Sequence, residues 1–236
     1  METFLCIFRF CHCIIYLSRN LGSHMNIRKL SFEFFGTVTL LIAVVGSSFM
    51  ASYLKADWAL GLLINAAVTA AVLAIIIKVG APISGAHFNP VVSLTSWLLK
   101  KCSFGQFISY SVAQVVGAVI GVLIANAMFS SDIIGSSSMQ RSGTGLFIGE
   151  IVATIGLVYL ALSSNEKSAW KLIPLWIFAA YFFTSSTSFA NPAVTISRVL
   201  TEAPAGIELS SVGAFILAQI IGALIALVLW KAEKND

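Results

Sequence analysis

Apolar positions in this chain run in long unbroken blocks, not in alternating or one-faced patterns. Blocks at about 31–51, 58–79, 104–127, 145–163, 170–186 and 209–230 each come near or pass the ~20 residues a helix needs to cross a hydrocarbon core. Six crossing helices are predicted. Polar residues interrupt this pattern at two matching places. One is Ile83-Ser84-Gly85-Ala86-His87-Phe88-Asn89-Pro90-Val91, between spans two and three; the other runs from Thr184 to Arg198, between spans five and six. In both, Asn precedes Pro. Asn is a good helix N-cap, and Pro fits the first turn, where its missing N–H would be unpaired anyway. Each stretch therefore predicts an extended lead-in and a short helix, about 89–99 and 191–200, too short to cross. The expected fold is an all-α membrane protein: six transmembrane helices plus two re-entrant half-helices.

The two halves, about 27–128 and 144–231, resemble each other. Glu33 and Glu150 are 117 residues apart, Asn89 and Asn191 102, and Gln114 and Gln219 105. Three spans per half is odd, so the second copy runs through the membrane in the opposite direction. That is an inverted repeat, and it brings the half-helices together at the midplane from opposite faces.

Composition sharpens the picture. Of 236 residues, 58% are hydrophobic and only 10% charged, far from soluble-domain usage. The net charge of +4 is scattered, with no basic block to suggest nucleic acid. Lysines at 78, 100, 101, 167, 171, 231 and 234 join Arg28 and Lys29 on one side if both termini are cytoplasmic; the other side keeps Lys55, Arg141 and Arg198. That bias fits an even number of crossings in a plasma or inner cell membrane. Of four cysteines, three lie within the first 13 residues and Cys102 stands alone, so neither a disulfide framework nor a metal pair emerges. Residues 1–26 read as an N-terminal extension, with Met25 the working start, ahead of a membrane domain at 27–236. A signal peptide and, at Gly22 to Met25, a cloning scar are the competing readings. Arg9 and His12 break the apolar runs there, and no small-residue cleavage site follows.

Non-helical backbone at membrane depth is tolerated only where protein buries it or it lines a watery cavity. The lead-ins before Asn89 and Asn191 thus predict carbonyls facing a pore. Two half-helix N-termini place positive potential at its middle, which repels cations, while the Asn amides donate to a passing oxygen.

On these residues the chain resembles the aquaporin and aquaglyceroporin (major intrinsic protein) family over residues 27–231. Ser84 to Val91 is similar to the family's first signature, with Val91 replacing the usual Ala after Asn89-Pro90; Asn191-Pro192-Ala193 is similar to the second. The resemblance implies one pore per subunit, a homotetramer, small neutral solutes and water as partners, and no cofactor or metal. It also carries a departure. Most members place Arg three residues after the second Asn; here that position is Val194. Carrying the other constriction positions over by spacing gives Thr69, Ala179 and Ser188. Together these four imply a wide, short-chained, uncharged constriction, suited to polyols or neutral metalloid acids more than to water alone. Val after Asn-Pro-Ala resembles a microbial subgroup associated with arsenite.

Several residues have two readings. Glu33 and Glu150 inside spans would carry protons in a secondary transporter; their symmetric placement favours accepting N–H groups of the re-entrant loops. His87 is read as bracing loop carbonyls rather than as a pH gate. Gln114 and Gln219, beside Gly117 and Gly222, suit interhelical packing and hydrogen bonding. Arg198, two turns beyond Asn191, either reaches the outer vestibule and partly replaces the missing charge or simply caps a helix C-terminus. The expected function is a passive channel. A proton-coupled carrier using Glu33 and Glu150 is the alternative. An enzyme is remote, since no nucleophile–base pair or metal cluster lies at membrane depth.

Overall fold

The computed structural model describes residues 26–235, so the N-terminal extension lies outside the described residues. Eight helices follow in order: α1 Ile27–Tyr53, α2 Trp58–Ser84, α3 Pro90–Leu98, α4 Phe104–Met128, α5 Thr144–Ser163, α6 Ala169–Phe183, α7 Pro192–Ser197 and α8 Leu209–Asn235. A 3₁₀ turn, Arg198–Leu200, continues α7. Five helices are long and apolar enough to span a bilayer. The sixth, α6, has 15 residues, a rise of about 22 Å.

Two boundaries differ from those expected. α6 stops at Phe183, not at residue 186, because a Ser/Thr run follows and competes for the backbone; Thr184 Oγ1 donates to the Ala180 carbonyl at 2.6 Å. α2 runs on to Ser84 through Pro82, past the expected end at 79. It ends where Gly85 takes a left-handed φ of 92°, a conformation that glycine adopts without steric cost. The first lead-in is therefore only the short stretch from Gly85 to Asn89.

The repeat is visible in the packing. A Cβ on Gly117 would lie 2.5 Å from the Phe34 carbonyl oxygen, and one on Gly222 2.7 Å from that of Ile151. Phe34 and Ile151 are 117 residues apart, like the glutamates. Bare glycine lets α4 close on α1 and α8 close on α5. Polarity is distributed for a bilayer. Ile75, Leu175 and Val228 are exposed, while Glu33, Gln114, Glu150 and Gln219 are fully buried.

Candidate functional site

The two half-helices meet through their caps. Asn89 Oδ1 accepts the Val91 N–H at 3.0 Å, and Asn191 Oδ1 accepts those of Ala193 and Val194 at 3.0 and 3.5 Å. Each amide then reaches across the repeat: Asn89 Nδ2 donates to the Ala190 carbonyl and Asn191 Nδ2 to that of Phe88, both at 2.8 Å. An amide nitrogen carries two protons, so each asparagine, both on the cavity wall, keeps one donor free. Pro90, Val91, Pro192 and Ala193 stand off the wall; Val91 instead packs on Val158, Ala223 and Ala226.

The lead-ins share an unusual backbone. Ala86 and Ser188 have φ of 53° and 52°, and Phe88 and Ala190 both have 47°. Each pair is 102 residues apart. Left-handed non-glycine residues cost of order 1–3 kcal/mol each and persist only where the surroundings over-determine them. The glutamates do that. Glu33 accepts from Ser84 Oγ at 2.6 Å, from the N–H of His87 at 3.0 Å and Phe88 at 2.7 Å, and from Gln114 Nε2 at 2.8 Å. Glu150 accepts from the N–H of Phe189 at 2.8 Å and Ala190 at 2.9 Å, and from Gln219 Nε2 at 2.7 Å. The same Gln amides reach Ser93 Oγ at 3.1 Å and Thr195 Oγ1 at 2.8 Å, tying each carboxylate to its half-helix. With the N–H groups bound from behind, the carbonyls of Gly85 to His87 and of Ser186 to Phe189 meet no protein donor among the described residues. Backbone oxygens at this depth need water or a solute.

A cavity of about 70 Å³ runs along these loops. Its apolar wall includes Leu40 with Leu157 and Val44 with Ala161, each pair again 117 apart. Thr69, Ser188, Val194 and Arg198 line it, as does His87. Ala179 does not. It is exposed on the outer face of α6, and Ile173, Ile177 and Tyr181 supply the wall at four-residue spacing. The position carried over by spacing lies two residues, about 200° of helix, before the one that faces the cavity wall. Tyr181 stands there, its hydroxyl 3.2 Å from that of Thr69. The cavity wall beside Thr69, Ser188 and Val194 therefore carries an aromatic side chain and an arginine.

His87 also differs from expectation. Its Nδ1 lies 3.0 Å from Ser93 Oγ and braces no carbonyl. Ser93 already accepts from Gln114, and the one acceptor within reach of its own proton is that ring nitrogen. The assignment that satisfies the network leaves the imidazole proton on Nε2. Arg198 is buried, C-caps α7, donates from Nε to the Ala205 carbonyl and lies with its Cζ 3.5 Å from the Phe189 ring centroid. Arg141, from the segment between α4 and α5, approaches the same ring at 5.0 Å. It donates to the carbonyls of Gly206 at 2.9 Å and Pro204 at 3.1 Å. Burial lowers the Arg141 pKa, opposed by Tyr181 and Glu150. Ser93, Thr195, Tyr181, Phe189 and Arg141 went unread as site residues. The first two repeat at the asparagines' own offset and stand four residues after them, a signal the sequence did contain.

Comparisons with known proteins agree with this geometry. The profile described as Major intrinsic protein matches residues 20–190. The aquaglyceroporin AqpS of Rhizobium meliloti is 40% identical over 208 residues, covering 86% of this chain and 89% of the relative. Aquaporin Z of Brucella melitensis is 28% identical over 225 residues, covering 87% and 97%. Among solved structures, the aquaglyceroporin from Plasmodium falciparum superposes with a TM-score of 0.67 at 18% identity, over 86% of this chain and 95% of that one, a likeness of fold alone.

Proposed function

The chain belongs to the major intrinsic protein family and is a passive multi-pass membrane channel, and from that premise we propose that its pore conducts small uncharged polyols of glycerol size together with water. Neutral metalloid acids such as arsenite are further permeants of the same size and polarity. The observation that carries this reading is the wall itself. One side is apolar, from Leu40, Val44, Leu157 and Ile177, and the other presents donors of Asn89 and Asn191 beside unbonded carbonyls. A polyol lays its carbon backbone on the first and exchanges its hydroxyl hydrogen bonds with the second. Charged species gain no such wall, and cations also meet the positive ends of α3 and α7. Val194, not a long cation, three residues after Asn191 keeps room for a three-carbon solute.

The pore-loop roles follow the same logic. Glu33 and Glu150 hold the lead-ins, Asn89 and Asn191 form the middle, and Thr69, Tyr181, Ser188 and Val194 form the constriction. The alternative of a proton-coupled carrier draws no support from the relatives, and both carboxylates are saturated with donors. The lysine bias supports both termini lying in the cytoplasm of a cell that carries the channel in its plasma or inner membrane. Four subunits assembling around their apolar outer faces complete the proposal, with residues 27–236 as the channel domain. Stopped-flow light scattering of proteoliposomes against glycerol, urea, arsenite and water gradients tests it. Glycerol should equilibrate well above empty-liposome rates, unchanged by a protonophore. Accumulation driven by a pH gradient would overturn the channel, and water flux without glycerol flux would overturn the solute reading.

A further inference from the structure

We infer that Arg198 supplies the pore with a fixed, lumen-facing positive charge and a two-amine donor fork, one turn beyond Val194 on α7. This deepens the constriction assigned above and rests on that pore reading. Arg198 is 2% exposed, yet it lines the cavity that Thr69, Tyr181, Ser188 and Val194 line. Its Nε is bound to the Ala205 carbonyl and its plane is stacked on Phe189. Its two terminal nitrogens find no protein acceptor among the described residues and are not among the enclosed polar atoms, so the cavity is what they face. No carboxylate among the described residues pairs with it. Glu150 spends its oxygens on Phe189, Ala190 and Gln219, while Arg141 adds a second positive charge on the same aromatic ring. A guanidinium held this way is preorganised: one nitrogen and one face are fixed, and the fork is left for oxygen atoms of a permeant. Ser188 Oγ, enclosed and without a protein partner beside this wall, offers the fork no competing acceptor bond. The site suits oxygen-rich neutral solutes and draws anions to it while repelling cations.

The test reads the local potential directly and needs no knowledge of the physiological solute. The full chain carries Val194→Cys with Cys6, Cys11, Cys13 and Cys102 replaced by Ser. It is reconstituted in liposomes and alkylated with iodoacetate or iodoacetamide, a near-isosteric anionic and neutral pair. Both react with the thiolate, so any thiol pKa effect cancels in the rate ratio, and the anion's own desolvation cost cancels between variants. The iodoacetate-to-iodoacetamide ratio should fall about tenfold in Arg198→Gln, as expected for one unit charge removed within several ångströms in a medium of intermediate dielectric. Arg198→Lys should restore most of it, which a purely structural role would not explain. Should the Gln variant not fold, Arg198→Met keeps the stack on Phe189 and serves the same comparison. A ratio unmoved in the folded Gln or Met protein overturns the inference, whatever the parent value. Glycerol flux is measured separately. A channel that conducts glycerol with an unmoved ratio refutes the charge alone, and a ratio that falls without glycerol flux in the parent refutes the solute reading alone.

Discussion

The two re-entrant loops share a scaffold and differ in the chemistry they show to the pore. In both, a buried glutamate held by a glutamine seizes the loop from behind, three residues take left-handed backbone, and the asparagines exchange amide bonds across the junction. On the cavity side the likeness ends. The first loop presents His87, hooked to Ser93, and leads into a nine-residue half-helix. The second presents Ser188 and Val194, leads into six helical residues and a 3₁₀ turn, and carries Arg198 and Arg141 around Phe189. We propose that most of what repeats holds the pore open and that the unpaired side chains tune which solute passes. Substitutions at paired positions should therefore act on folding, and those at unpaired positions on selectivity.

The largest effect is expected at the paired carboxylates. Gln in place of Glu33 or Glu150 presents an amide nitrogen to donors, leaving at least one buried N–H or amide without an acceptor. Each such group costs about 1–3 kcal/mol. Folded yield, read by size-exclusion chromatography in detergent, should drop by several-fold or more in either variant. Glu33→Gln should be the worse, because it strands the Ser84 hydroxyl as well. Permeability per folded molecule should stay close to that of the parent. Normal yield with abolished transport would sink the scaffold role and revive proton relay.

Next comes Val194→Arg, at an unpaired position. It adds bulk and a third cation beside Arg198 and Arg141, where the carbonyls of Pro204, Ala205 and Gly206 are already engaged. An unpaired arginine at membrane depth costs about 2.5–3.5 kcal/mol on insertion scales, offset here by the free carbonyls of Ser186 to Phe189. Yield should fall modestly. The glycerol-to-water permeability ratio should fall about tenfold, equivalent to roughly 1.4 kcal/mol in barrier height. Val194→Leu narrows without charge and separates the two causes. A Val194→Arg protein that folds yet keeps its ratio would show that Val194 is not at the constriction.

Tyr181 should sharpen the comparison further. Tyr181→Ala removes the aromatic wall opposite Thr69 and should admit polyols longer than glycerol. Tyr181→Phe removes only the bond to Thr69, worth about 0.5–1.5 kcal/mol net, and should change flux less than threefold. If Ala179 substitutions matched these effects, the register described for α6 would be wrong.

Most of the scaffold was legible in the sequence, and less of the lumen. Span number, the two Asn caps and the inverted repeat rest on hydrophobic block length and on offsets between like residues, which one chain displays by itself. Ala179 was misplaced because α6 is apolar nearly all round, so no polar face marks which positions look into the lumen, and a shift of two residues turns a side chain by about 200° to the opposite face. The Arg141–Phe189–Arg198 cluster was invisible for a different reason. Arg141 comes from the segment between α4 and α5 and meets Phe189 and Arg198 only in three dimensions, and neither arginine repeats in the other half.

The smallest effect tests the division most directly, because it compares two matched hydroxyls. Ser93 and Thr195 each accept from the buried glutamine of their own half. Removing either hydroxyl should cost about 1 kcal/mol of stability. Beyond that their loads differ. Thr195 Oγ1 donates back to the Asn191 carbonyl at 2.9 Å, a bond internal to α7, whereas Ser93 Oγ holds the ring of His87 on the cavity wall. Ser93→Ala should release that ring to other rotamers and change water permeability by about twofold, a barrier difference of roughly 0.4 kcal/mol. Thr195→Ala should leave permeability per folded molecule unchanged while lowering yield by the same small amount. Parallel stopped-flow and yield measurements on the two variants decide it. If both move permeability alike, the lumen is as symmetric as its scaffold, and the division between holding and choosing fails.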